Sequence, residues 1–167
     1  PSASVATGTP FVCGESSNND AAILKITGSG TNAALFAFNG STSSNVTTSS
    51  NPISTSAFQL VEGVYTPGTS PNTGVGKVYV GGTLQATATN MVQNLNNTSR
   101  TLNRIGTGTG STEWFGGDIC EILVYSNPVS DSLRKSIESY FLSKYNVGAT
   151  PQLDAPTAVP GAGVYMP

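Results

Sequence analysis

The chain has 167 residues, 37% of them hydrophobic and only 10% charged, enough length for one domain with a buried core and enough apolar content to argue against disorder. Seven Lys and Arg set against nine Asp and Glu give a formal net charge of −2 and no basic face on which nucleic acid would exchange its counterions. No stretch is apolar for the roughly 20 residues that a membrane span needs, and the absence of His removes the commonest general base and a favoured metal ligand.

Residues 1–10 (PSASVATGTP) are expected to form an extended leader. The chain begins at Pro1 without an initiator Met, and is expected to be a processed or excised part of a longer product. Phe11 to Gly14 is a short strand candidate, and 16–20 (SSNND) a turn. Two apolar runs, 21–28 (AAILKITG) and 33–40 (AALFAFNG), flank SGTN and predict a hairpin. Residues 41–52 (STSSNVTTSSNP) hold almost no apolar side chain and are expected to be surface loop. The next strand is expected over 57–66 (AFQLVEGVYT), and 67–76 (PGTSPNTGVG) reads as a long turn. The clearest hairpin is 77–89 (KVYVGGTLQATAT), where Val78 and Val80 alternate with Lys77 and Tyr79 and Gly81-Gly82 reverses the chain. A polar connector (90–99), a short strand (101–108, TLNRIGTG) and a loop (109–117, TGSTEWFGG) follow. Short strands about ten residues apart, with no helices between them, predict an antiparallel sandwich or barrel rather than a parallel α/β fold.

Residues 115–147 (FGGDICEILVYSNPVSDSLRKSIESYFLSKYNV) differ from all that precedes them. In an extended backbone Ile119, Glu121, Leu123 and Tyr125 share one face, and Cys120, Ile122 and Val124 the other. Both faces are apolar except for Glu121, which predicts a strand covered on both sides. The cover is expected to be a helix capped by Ser130 or Asp131 and stopped by Gly148. Leu133, Ile137, Tyr140 and Phe141 recur at helical spacing as one apolar stripe, with Arg134, Lys135 and Glu138 expected to face away. The tail, 148–167, carries four Pro and is expected to be a linker or an arm on a neighbouring surface.

This cassette resembles the C-terminal signature of laminin G-like, concanavalin A-like jelly-roll domains. Gly117, Asp118, Ile119, Glu121, Ile122, Leu123, Val124 and Tyr125 match its Gly-Asp-Ile-x-Glu-Ile-Leu-Val-Tyr strand. Ser130 and Asp131 match its turn, and Tyr140, Leu142, Lys144 and Tyr145 its helix end. Upstream, EGVYTPG and KVYVGGTL are similar to the family's central strand and hairpin, so the resemblance is close over 57–147 and loose over 11–56. It implies an all-β fold, an antiparallel β-sandwich of the concanavalin A-like jelly-roll type with one C-terminal α-helix, spanning 11–147 between the leader and the tail. The family's first strands have no counterpart before Phe11, which implies unpaired sheet edges. The leader, a further part of the parent polypeptide or a neighbouring chain would supply them.

Jelly-roll glucanases place alternate carboxylates on one strand. Here Asp118 and Glu121 are three residues apart and point to opposite faces, so no catalytic residue is assigned and the chain is expected not to be an enzyme. Glu121 is instead expected to accept hydrogen bonds from backbone or Ser/Thr groups at the helix contact. Asp20, Glu62, Glu113, Asp118 and Asp154 are isolated in sequence, and neither a metal nor a cofactor is expected. Trp114, beside Phe115 in a Gly/Ser/Thr loop, is a candidate for stacking on a sugar ring, with Tyr65 and Tyr79 as weaker candidates; packing of the sandwich is the favoured reading of all three. Cys13 and Cys120 form either one disulfide or two buried thiols. The function expected is that of a non-catalytic module displayed outside the cell or on a virion, acting in attachment or assembly as a decoration, spike or fibre component. Its partners would be neighbouring structural chains, a glycan or a cell-surface receptor, with no nucleic acid and no membrane span. The alternatives are a carbohydrate-binding module of a secreted multidomain protein and a polysaccharide-degrading enzyme.

Overall fold

In the computed structural model the strands are β1 (Gly8–Gly14), β2 (Ala22–Thr27), β3 (Asn32–Asn39), β4 (Thr42–Thr47), β5 (Val61–Thr66), β6 (Gly74–Val80), β7 (Thr83–Met91) and β8 (Leu102–Ile105), followed by helix α1 (Asp131–Tyr145). The structure describes residues 8–14, 21–27, 30–40, 42–54, 56–93, 95, 101–108 and 113–147. The leader before Gly8 and the tail after Val147 lie outside the described residues. All pairings are antiparallel, in one five-stranded sheet of order β4-β3-β2-β1-β8 and one three-stranded sheet of order β5-β6-β7. This is the two-sheet sandwich with one C-terminal helix that the sequence predicts.

The hairpins sit where turn chemistry puts them. β2 and β3 pair from Ala22↔Ala37 to Thr27↔Asn32. β6 and β7 close through Val80↔Thr83 across Gly81 and Gly82, whose φ of 56° and 76° is the left-handed geometry of a two-residue reversal. Between the sheets pack Ile26, Ala33, Leu35, Val46, Ile53, Val78 and Val80. Full burial of such side chains stabilises the fold by about 1.5–3 kcal/mol each. The alternate residues of the large sheet, Val12, Ile23 and Phe36 among them, pack together on its other face.

Three expectations need correction. Residues 41–52 contain strand β4 rather than loop alone: an edge strand has one ladder to satisfy, and Val46 alone of its side chains is buried. Its Ser44 Oγ accepts the Val92 N–H at 2.7 Å, tying the two sheets together at that edge. Second, 119–125 belongs to no ladder among the described residues, and Ile119, Leu123, Val124 and Tyr125 are exposed. The segment has strand chemistry, but no described backbone pairs with it. Third, the buried face of α1 is Arg134, Glu138 and Phe141, while Leu133 and Tyr140 are exposed at 45% and 43%. The helix is rotated about one residue from the apolar stripe, because what lies under its first turns is polar. Ser130 caps it, accepting the Leu133 N–H at 3.3 Å, and Asn146 takes a left-handed position at its end, with φ 47°; Gly148 lies outside the described residues.

Candidate functional site: a roofed slot beside the small sheet

The register of β5 and β6 sets Glu62 opposite Tyr79. Alternation sends Gly63 and Tyr65 towards the large sheet, so Glu62 and Tyr79 face outward, under α1. The Arg134 guanidinium lies 3.9 Å from the centroid of the Tyr79 ring. The same guanidinium pairs with Glu138 one turn on, with Asp131 at 3.5 Å and with Glu62 at 3.9 Å. Glu138 also lies over the Gly81-Gly82 reversal: a β-carbon on Gly82 would stand 3.3 Å from its carboxyl. Glycine there permits both the backbone turn and the approach of the helix.

This cluster holds two carboxylates, Glu138 buried and Glu62 largely so, against one guanidinium. Glu62 is 14% exposed, and its Oε1 has no hydrogen-bond partner. Burial raises its pKa first, and the Glu138 charge and hydrogen bond add to that, outweighing the pull of Arg134. The result is about 8.

The other end of α1 is held differently. Glu121 accepts from Tyr145 Oη at 2.8 Å, from Lys144 Nζ at 3.0 Å and from Tyr140 Oη at 3.0 Å. Three donors favour its charged form, so its pKa lies below the ordinary carboxylate range, the Lys144 hydrogen bond being the largest cause. Glu121 accepts hydrogen bonds at the helix contact, but from Tyr and Lys side chains rather than from the backbone or Ser/Thr groups expected.

Between these two anchorages α1 roofs a cavity of about 1250 Å³. The floor is the inner face of the large sheet, with Leu24, Ile26 and Leu35. One wall is β5 from Val61 to Tyr65, the other is the segment from Ile119 to Tyr125, and Ile137, Phe141 and Tyr145 form the roof. Among the described residues β5 pairs only with β6, so its other edge faces the cavity with unmatched N–H and C=O groups, and the facing wall belongs to no ladder either. The slot is half open to solvent, and its Leu, Ile, Val and Phe lining offers water few hydrogen-bond partners.

The structure does not bring the three aromatic candidates together. Trp114 is 65% exposed on a loop that Thr107 pins through a β-bridge and Gly106 through a 2.9 Å bond from the Phe115 N–H. Tyr65 packs in the core, and its hydroxyl donates to the Val92 carbonyl at 2.7 Å. Tyr79 is 5% exposed beneath Arg134. Cys13 and Cys120 are both free thiols on the cavity wall, Cys13 half-buried and Cys120 exposed rather than buried. Among the described residues no three His, Cys, Asp or Glu side chains gather to hold a metal, and no helix is long and apolar enough to cross a membrane.

Reading the sequence as a helix with one wet face missed Glu62, Arg134 and Glu138. The signal lay on β5 and β6: Glu62 and Tyr79, set opposite each other on an outward face, favour a cationic cover over an apolar one.

A comparison with protein-family models matches residues 1–132, taking in the first strands, where the sequence likeness is loose, and ending as α1 begins. No curated protein and no solved structure matches the chain. The family matched is the one the 115–147 cassette resembles and the two-sheet architecture fits: the chain belongs to the concanavalin A-like lectin/glucanase superfamily.

Proposed function

We propose that this chain is a non-catalytic module of attachment or assembly that takes up an extended strand of a neighbouring polypeptide in the slot between β5 and residues 119–125. One observation carries the reading: an apolar cavity lies between two main chains that, among the described residues, both lack a ladder on that side. Only an extended polypeptide supplies hydrogen bonds to two parallel walls and apolar side chains to floor and roof at once. Membership of a superfamily of lectin-like domains fits a binding module in general. The neutral, hydroxyl-rich surface suits an exposed setting outside a cell or on a particle, and the specific version favoured is a decoration, spike or fibre module of a virion, anchored to its neighbours by strand uptake.

The test is amide hydrogen exchange with and without a nine-residue capped peptide of alternating Ser and Val. The reading expects exchange at Val61–Thr66 and at 119–125 to slow at least tenfold with peptide. Unchanged exchange at both walls contradicts it. Exposure of Trp114 supports the second reading, a glycan-binding loop. Binding on a glycan array that Trp114→Ala abolishes, with the walls unaffected by peptide, favours that reading instead.

A further inference from the structure

Among the described residues the cluster beneath α1 is one cation short. Around the Arg134 guanidinium stand the buried Glu138 from α1, the largely buried Glu62 from β5 and the exposed Asp131. From β6, Tyr79 contributes only its ring face, and Lys77 stands further along, opposite Val64 rather than Glu62. Of the two carboxylates, Glu62 lines the slot, and its Oε1 is buried without a donor. A buried carboxylate oxygen left without a partner costs its desolvation, and a buried charge left uncompensated costs more.

A strand lying against the open edge of β5 sets one residue directly across from Glu62, on the same face, under α1. The residues on either side of that position point the other way, onto Leu24 and Leu35 of the floor. We infer that the strand taken up by the slot carries a Lys or Arg at the position across from Glu62, between two apolar residues that face the large sheet. This inference rests on the strand-uptake reading and adds the partner's chemistry to it. A hydroxyl or amide at that position satisfies Oε1 but leaves two carboxylates sharing one guanidinium. An ammonium or guanidinium does both, making two cations for two buried anions. In the free chain a proton on Glu62 takes that place, since the group stays neutral to about pH 8; the incoming cation displaces it.

The experiment uses two nine-residue capped peptides of alternating Ser and Val, differing only at the central outward position, which is Lys in one and norleucine in the other. Binding to the whole chain is measured by calorimetry at pH 7 in two buffers of different ionisation heat. The Lys peptide is expected to bind at least tenfold tighter and to release close to one proton, and the norleucine peptide to release none. In Glu62→Gln, checked for an intact helix by circular dichroism, the two peptides are expected to bind alike. Equal affinity of the two peptides for the wild-type chain, or a Lys preference that survives in Glu62→Gln, overturns the inference while strand uptake stands. Binding of neither peptide overturns strand uptake and this inference with it.

Discussion

Replacing Glu62 with Gln reports directly on the buried cluster, because it keeps the shape of the side chain and removes only its charge. In the folded chain the carboxyl stays neutral to about pH 8, whereas in the unfolded chain it ionises in the ordinary carboxylate range. The group's contribution to stability is therefore complete below that ordinary range and is lost as pH rises towards 8. The steepest slope such a group can give is about 1.4 kcal/mol per pH unit. That slope applies only between the unfolded and the folded pKa and fades within about one unit of each. From pH 5.5 to pH 8 the wild-type chain is then expected to lose about 1–3 kcal/mol, roughly 3–10 °C in melting temperature at this length. Glu62→Gln is expected to lose little over the same interval and to be the more stable protein at pH 8.5. The assay is urea unfolding followed by far-UV circular dichroism at half-unit pH steps. Parallel pH profiles for the two proteins would refute the burial and proton-sharing argued for Glu62.

Arg134→Met leaves both buried carboxylates without their cation and is expected to destabilise the chain by about 3–5 kcal/mol at neutral pH in urea unfolding. Phe141→Ala removes a ring that is buried yet faces the cavity, so its cost is expected at or below about 3 kcal/mol, the low end for a core Phe, in the same assay. Gly82→Ala forces a side chain into φ 76° and against Glu138, with about 1–2 kcal/mol lost and faster amide exchange in the first turns of α1. Glu121 carries the opposite pH sign to Glu62: stability it contributes is present above the ordinary carboxylate range and lost as pH falls through its lowered pKa. Glu121→Gln is expected to flatten the acid limb of the stability profile and to speed amide exchange at residues 140–145.

The sandwich was legible because its strands alternate and its reversals use turn residues; Gly81-Gly82 and the Val78/Val80 pair suffice to place β6 and β7. β4 was not, since an edge strand built from Thr, Ser, Ser, Asn and Thr around one Val has the composition of a loop, and its stability comes from β3 and from Val92 across the sandwich. The helix was legible in position but not in rotation. Its apolar stripe and its Arg134–Glu138–Phe141 face both have helical spacing, and the choice between them was made by Glu62 and Tyr79, more than 50 residues away in sequence. Residues 119–125 show the limit of periodicity. Apolar side chains on both faces give the segment strand chemistry, and they do not reveal that the adjoining main chain is missing among the described residues. The aromatic candidates failed to converge for a related reason: a Tyr inside a strand is placed by alternation, inward for Tyr65 and under the helix for Tyr79, and only the loop residue Trp114 was free to remain exposed.

The most direct measurement is a crystal structure of the chain with the Lys-bearing peptide. The account predicts an extended peptide bonded to β5 on one side and to residues 119–125 on the other, making five strands in each sheet, with its Lys ammonium on Glu62. A peptide bound elsewhere, or a β5 that has closed directly onto 119–125 with the slot gone, contradicts it.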